Sequence, residues 1–211
     1  MSDDDAPIDT RSSASQAAHM ILNEVGLAAN YGHAALERAF ELRPQGPGNG
    51  LHLISSNCEC LDLIVRGLSY AATISRCISK AGRPKASNAE QRFHAARTKL
   101  VLAALDGVDV EALRDRTIRN SLEHIDEHID RLFMKRPDRR PRTSVVHNLA
   151  LSSRAAIDVM GQLEPFIFAR VYVSDTDEFH NLGKTVRLTP VREALARVKQ
   201  ALSEPGGSVF A

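Results

Sequence analysis

The chain has 211 residues, of which 43% are apolar, 5% aromatic and none tryptophan, so a substantial core is expected and aliphatic side chains have to fill it. Its formal net charge is +1. No global field therefore draws nucleic acid to it, and any nucleic-acid site has to be a local basic patch.

In chain order, residues 1–11 read as a disordered tail. The opening MSDDDAPIDTRSS is acidic and polar, with neither the basic start nor the apolar run of a signal peptide. Ser13 to Leu42 is Ala-rich, with Ile21, Leu22, Val25, Ala28, Ala29, Ala35, Leu36, Ala39 and Phe40 at helical spacing, which predicts a long helix. The Pro and Gly of Arg43 to Gly50 predict a loop. A second long helix is expected from Leu51 to Lys80, its stripe formed by Leu61, Ile64, Val65, Leu68, Ala71, Ala72 and Ser75. After the break AGRPKASN, Ser87 or Asn88 is suited to cap a third helix ending near Leu105. Following the turn DGVD, Asp109 is suited to cap a fourth helix running to Phe133.

Arg131, Lys135, Arg136, Arg139, Arg140 and Arg142 then stand against Asp138 alone, a local excess of five positive charges around two prolines, expected as an exposed loop. Another helix is expected from Ser144 to Leu163. Beyond Pro165 the β-branched and aromatic run FIFARVYV, the turn SDTDEF and the alternating HNLGKTVRL predict a β-hairpin, Ile167–Val173 against Phe179–Leu188. Pro190 opens a last amphipathic helix, Val191–Leu202, and residues 205–211 read as a flexible tail. The expected fold is thus mainly α: an antiparallel helical bundle over residues 12–163, then a β-hairpin and helix over 164–204 that belong to the same domain. No window approaches the roughly 18 uninterrupted apolar residues that mark a membrane span. Cys58, Cys60 and Cys77 are an odd, sparse set, not a disulfide framework, and read as thiols of a reducing cytosol, which places the chain in the cytoplasm.

The stretch Ile118 to Asp130, IRNSLEHIDEHID, concentrates ionisable side chains on a helical frame. On an ideal helix Ile118, Leu122, Ile125, Ile129 and Leu132 form one seam, expected to face the core. Asn120, Glu123, Glu127, Asp130 and Arg131 lie opposite, with Arg119 and His124 on the two shoulders, about 140° apart. A face of this kind is most often simply solvated or salt-bridged. The pairs His124/His128 and Glu123/Glu127 have the spacing of metal ligands on adjacent turns, but no second Glu-x-x-His pair accompanies them, so no metal is expected.

Arg119-Asn120-Ser121-Leu122-Glu123-His124 resembles the signature of the HEPN superfamily, helical bundles with an R-x4–6-H motif near the start of a late helix. The longer RNSLEHIDEHID is similar to a group of bacterial HEPN-like proteins that read R-N-x-x-E-H-x-D-E. The match is local; the order of helices over residues 13–163 agrees with it, and the hairpin and last helix lie outside the common core. Many members are metal-independent ribonucleases of toxin–antitoxin, phage-defence and CRISPR systems. The resemblance implies that Arg119 stabilises the scissile phosphate, that His124 transfers protons, that Asn120 orients them, and that two motifs face each other across a homodimer, with no cofactor. It equally admits a non-catalytic module for dimerisation or for binding an antitoxin or other partner protein. Glu123 and Glu127 are unfavourable beside a polyanion and are suited to salt bridges with Arg119 or Arg116. Lys135, Arg136, Arg139, Arg140 and Arg142 would give salt-sensitive, sequence-independent contacts to RNA phosphates. No aromatic side chain lies within the run Lys135–Arg142, so base stacking is not expected to contribute much there.

Overall fold

The computed structural model describes residues 10–46, 54–56, 58–79, 87–115, 122, 125–134, 144–158 and 166–203. With no proline to interrupt it, the Ala-rich first segment forms a single helix, α1 (Thr10–Glu41), which begins inside the stretch read as tail. Its buried stripe of Val25, Ala28, Ala29, Leu36 and Ala39 is the middle of the main core. Against it packs α2 (Cys58–Ile78), through Leu61, Ile64, Leu68, Ala71 and Ile74. The two helices come close because both carry glycine at the crossing: a Cβ on Gly67 would lie 2.6 Å from Leu36, and one on Gly32 2.9 Å from the Tyr70 Cβ. Small residues at this point let the backbones approach more closely than a Leu-on-Leu contact would.

The third helix, α3 (Asn88–Ala104), is closed by the expected cap. The Glu90 amide donates to Ser87 Oγ, and the Ser87 amide donates back to Glu90 Oε2 at 2.7 Å, a reciprocal box that satisfies two free donors. The turn at Gly107 follows, and the carboxylate of Asp109 accepts from the Glu111 amide at 3.0 Å, at the start of α4 (Glu111–Arg114). The fourth helix is not continuous as expected: α4 ends at Arg114, and Asp115 is extended, with φ −65° and ψ 114°. Val110 and Leu113 are buried and hold this single turn in the core, and Asp readily bonds backbone groups outside helices. Leu122 is helical, and so is α5 (Ile125–Met134).

The largest departure comes next. Ser144–Leu151 is not a helix but a strand, β2. It runs parallel to β3 (Phe166–Val173), with Ser144 opposite Phe166 and Leu151 opposite Val173. A short strand β1 (Ile54–Ser55), in the stretch expected to be helical, pairs antiparallel with the end of β2. The link from β2 to β3 contains a helical turn at 155–158. The expected hairpin is present: β3 turns over residues 174–177 into β4 (Glu178–Asn181), antiparallel. Its second arm is split, because Leu182 and Gly183 both take positive φ (49° and 77°) and fold β5 (Lys184–Arg187) back on β4. Two left-handed residues in succession are the geometry of a tight two-residue hairpin. The sheet order is therefore β1-β2-β3-β4-β5.

Alternate residues of this sheet serve two layers. Ala150, Tyr172 and Phe179 face the helices and join the main core, while Leu151, Val171 and Val173 pack against Ala156 and Ile157 of the crossover. The last helix, α6 (Leu188–Ser203), returns to α1 and buries Val191, Ala194, Leu195 and Val198 in the main core. Its first turn is fixed by Asp177, whose carboxylate accepts from the Thr189 amide and from the Tyr172 hydroxyl. The described residues are mostly helical, with one five-stranded sheet.

Candidate functional site

Leu122, in the middle of the Arg119–His124 motif, is helical and half-buried, and packs against the main core. Helix α5 covers Ile125–Met134. Of the residues assigned to the site from sequence, Glu127 alone lies among the described residues; its side chain is exposed, as are Asp126 and Asp130. Arg116, Arg119, Asn120, Glu123 and His124, and the basic residues Lys135, Arg136, Arg139, Arg140 and Arg142, lie outside them. The seam needs one correction: Ile129, expected to face the core, is 40% exposed, and Met134 is 76% exposed. Of the apolar side chains of α5, the two that are described, Ile129 and Met134, thus lie outside the core.

A second constellation, not recognised from sequence, lies on the sheet. Phe166 and Phe168 are two apart on β3 and half-buried, with rings stacked at 6.4 Å between centroids and 26° between planes. The Phe168 ring also meets His180 of β4 at 6.0 Å. Pairing places Thr185 of β5 opposite His180, and Arg187 opposite Glu178, so these side chains share a face. Thr185 Oγ1 is 3.0 Å from His180 Nδ1, and Glu178 Oε2 is 3.3 Å from His180 Nε2. The second approach is close enough for charge pairing but too poorly aligned for a hydrogen bond. Arg154 of the crossover donates from Nη1 to Glu178 Oε2 at 2.6 Å, and its Nε is 3.5 Å from Asp158. Burial pushes the His180 imidazole below its ordinary pKa; Glu178 opposes the shift, and Arg154 adds to it. The His180 ring is thus tilted at 54° to that of Phe168 and flanked by charged neighbours.

A paired irregularity brings Phe168 onto this face. The ladder joins His147 to Ala169 and Leu149 to Val171, and skips Asn148 and Arg170, which lie between them. Both take left-handed backbone, with φ of 54° and 57°. Such residues cost roughly 1–3 kcal/mol each and persist where surrounding contacts impose them. Here the Arg170 amide donates to Asn181 Oδ1 at 3.2 Å, and its guanidinium reaches Asp62 of α2 at 3.2 Å. The Asn148 Oδ1 is buried with no hydrogen-bond partner. The local twist shifts the side-chain phase by one residue, so Phe168 and Val146 join Val171 and Val173 in one apolar layer.

The strand expected from sequence, Ile167–Val173, contains Phe168 but starts one residue after Phe166, and His180 was not linked to either. The available signal was the i, i+2 spacing of the phenylalanines and the hairpin register that opposes His180 to β3. Among the described residues no group of three or more His, Cys, Asp or Glu is arranged to hold a metal ion, and no helix is long and apolar enough to cross a membrane. Comparison of the chain with models of known protein families, with curated proteins and with solved structures finds no match.

Proposed function

We propose that this chain is a HEPN-like, metal-independent endoribonuclease that acts as a homodimer in a bacterial defence or toxin–antitoxin setting. The observation that carries the reading is the sequence motif Arg119, Asn120 and His124, within which Leu122 is helical and packs on the main core, in a chain whose described residues are mostly helical. In this reading His124 takes the proton of a ribose 2′-hydroxyl or supplies one to the departing 5′-oxygen. The 2′-oxygen attacks the adjacent phosphorus, the bond to the 5′-oxygen breaks, and the product strand ends in a 2′,3′-cyclic phosphate. Arg119 offers its planar fork of donors to the phosphoryl oxygens as charge accumulates, and Asn120 orients the pair. Two opposed motifs supply to one cleft what a single helix, with its shoulders about 140° apart, does not.

The test is cleavage of single-stranded RNA by purified protein in EDTA, with product ends read by mass spectrometry. The expected result is cyclic-phosphate ends, with His124→Ala and Arg119→Ala each lowering the rate about 10²-fold or more while helical content is retained. Equal, trace cleavage by wild type and His124→Ala would identify a contaminant and sink the enzyme reading. The exposed Ile129 and Met134, and the exposed carboxylates Asp126, Glu127 and Asp130, favour a second reading, a module that binds a second copy or a partner protein. An apolar, anionic helix suits a protein surface better than a polyanion. That reading expects no cleavage at any salt, and loss of self-association or of partner binding in Ile129→Asp.

A further inference from the structure

We infer that the outward face of α1 is the surface on which two copies of this chain pair, antiparallel, about a two-fold axis beside Tyr31. The inference uses none of the residues of the nuclease reading and stands or falls without it. Among the described residues six large apolar side chains are exposed, and three of them, Met20 (71%), Leu27 (49%) and Tyr31 (51%), lie on this one helix. They are not scattered along it. Met20, Glu24, Leu27, Tyr31, Ala34 and Arg38 follow one another at intervals of four and three, all six exposed, on the side of α1 away from Val25, Ala29 and Leu36 in the core. A four-three repeat is the spacing of a seam that packs on another helix. Tyr31 is held in place on this seam: its ring lies 5.8 Å from that of the half-buried Tyr70 on α2, with 34° between planes. A tyrosine positioned in this way offers a large contact area at small entropic cost, and tyrosine and methionine are enriched in protein interfaces.

The charges on the seam say which partner fits it. Glu24 stands seven residues before Tyr31 and Arg38 seven residues after it, each about 10 Å away along the helix axis. With a two-fold axis at Tyr31, an antiparallel second copy sets Glu24 opposite the partner's Arg38, and by symmetry Arg38 opposite the partner's Glu24. Leu27 falls opposite the partner's Ala34, a large side chain against a small one, which lets the helices approach. A slip of one turn, about 5 Å, stays within reach of the long Glu and Arg side chains. A parallel copy would set Glu24 against glutamate and Arg38 against arginine. Arg38 donates to Glu41 on its own helix at 2.7 Å, and its planar fork has further donors for a carboxylate of the second copy. Asn23 and Asn30, also exposed on this side, add no charge to the seam. A different protein would have to bring a matching pattern of charge and size, whereas a second copy of the chain already carries it.

Sedimentation velocity of the full chain over a dilution series measures the pairing. Wild type is expected to dimerise, and Leu27→Glu, which puts a charge in the middle of the apolar stretch, to raise the dimer Kd about tenfold or more. Glu24→Arg and Arg38→Glu each turn two attractions into two repulsions, so each alone is also expected to raise it about tenfold or more. The decisive sample is their equimolar mixture. One variant then presents arginine at both positions and the other glutamate at both, so opposite charges meet at both contacts and the mixture is expected to dimerise as wild type does. That rescue is specific to the antiparallel pairing, and a repaired fold does not produce it, because the two changes sit on different molecules. A wild type that stays monomeric up to about 10⁻⁴ M overturns the proposal and leaves the seam to a different protein. A mixture that pairs no better than its two components overturns it as well. So does a dimer that is lost in Ile129→Asp and untouched by the α1 variants, which would assign the pairing to α5.

Discussion

Replacing Gly67 by Ala adds one methyl group where α1 and α2 touch. An ideal Cβ there lies 2.6 Å from both Cγ and Cδ2 of Leu36 and 3.3 Å from the carbonyl oxygen of Gly32. Leu36 is fully buried, so its branch has no free volume to enter, and the helices have to move apart or the leucine has to leave its rotamer. Alanine is the better helix former by about 0.8–1 kcal/mol, while overpacking a core costs about 1–3 kcal/mol. Two contacts far inside van der Waals distance put the cost near the top of that range, for a net loss of about 1–2 kcal/mol. In a chain of this size that lowers the melting temperature by roughly 2–8 °C. Gly26→Ala is the matched control: its Cβ meets only Leu202 Cδ1, at 3.7 Å, an ordinary contact, so the propensity gain survives and the variant is expected to melt above wild type. Leu36→Ala alone should cost about 2–5 kcal/mol, but in that background Gly67→Ala should no longer destabilise, because the clashing atoms are gone. Thermal and urea unfolding followed by circular dichroism measures all four. A Gly67→Ala protein as stable as wild type would refute the close crossing, and an unchanged penalty in the Leu36→Ala background would refute its assignment to Leu36.

Asp177→Ala removes the acceptor for the Thr189 amide and the Tyr172 hydroxyl and leaves alanine at φ 56°, so a loss of about 1–2 kcal/mol or more is expected in urea unfolding; a wild-type midpoint would show that the cap contributes nothing. Burial lowers the pKa of both His180 and His33 below 6.5, so the unfolded chain takes up protons first as pH falls. The urea midpoint should therefore drop between pH 7.5 and 5.5, by at most about 1.4 kcal/mol per pH unit for each group, and His180→Gln should make that drop shallower; an unchanged slope would sink the account. The Cys60 thiol is fully buried, donates to the Ala39 carbonyl at 3.5 Å and has its pKa pushed up to about 11, so N-ethylmaleimide at pH 8 should leave it unlabelled in the native protein and label it on unfolding. Equal rates in the two states, by peptide mapping, would contradict its placement.

The features that the sequence settled by itself are those written in neighbouring residues. The period of Val25, Ala28, Ala29 and Leu36 is a helix face, and so is that of Leu61, Ile64, Leu68 and Ala71; Ser87 with Glu90 is a cap, and the turn of the β3–β4 hairpin is local chemistry. The Arg119–His124 motif is likewise a local string, which is why a candidate chemistry was legible there. What the sequence left open was decided by partners far along the chain. Ser144–Leu151 carries an apolar pattern that suits helix or strand; pairing with Phe166–Val173 made it a strand, and that in turn gave Ile54–Ser55 an edge to join. Ile129 has helical spacing with Ile125, yet it stays exposed, because periodicity identifies a face without saying whether the core reaches it. The position of Ser144 opposite Phe166 has the same origin. It depends on the register of two parallel strands, a non-local pairing whose energy lies in contacts between segments and is written in neither segment alone.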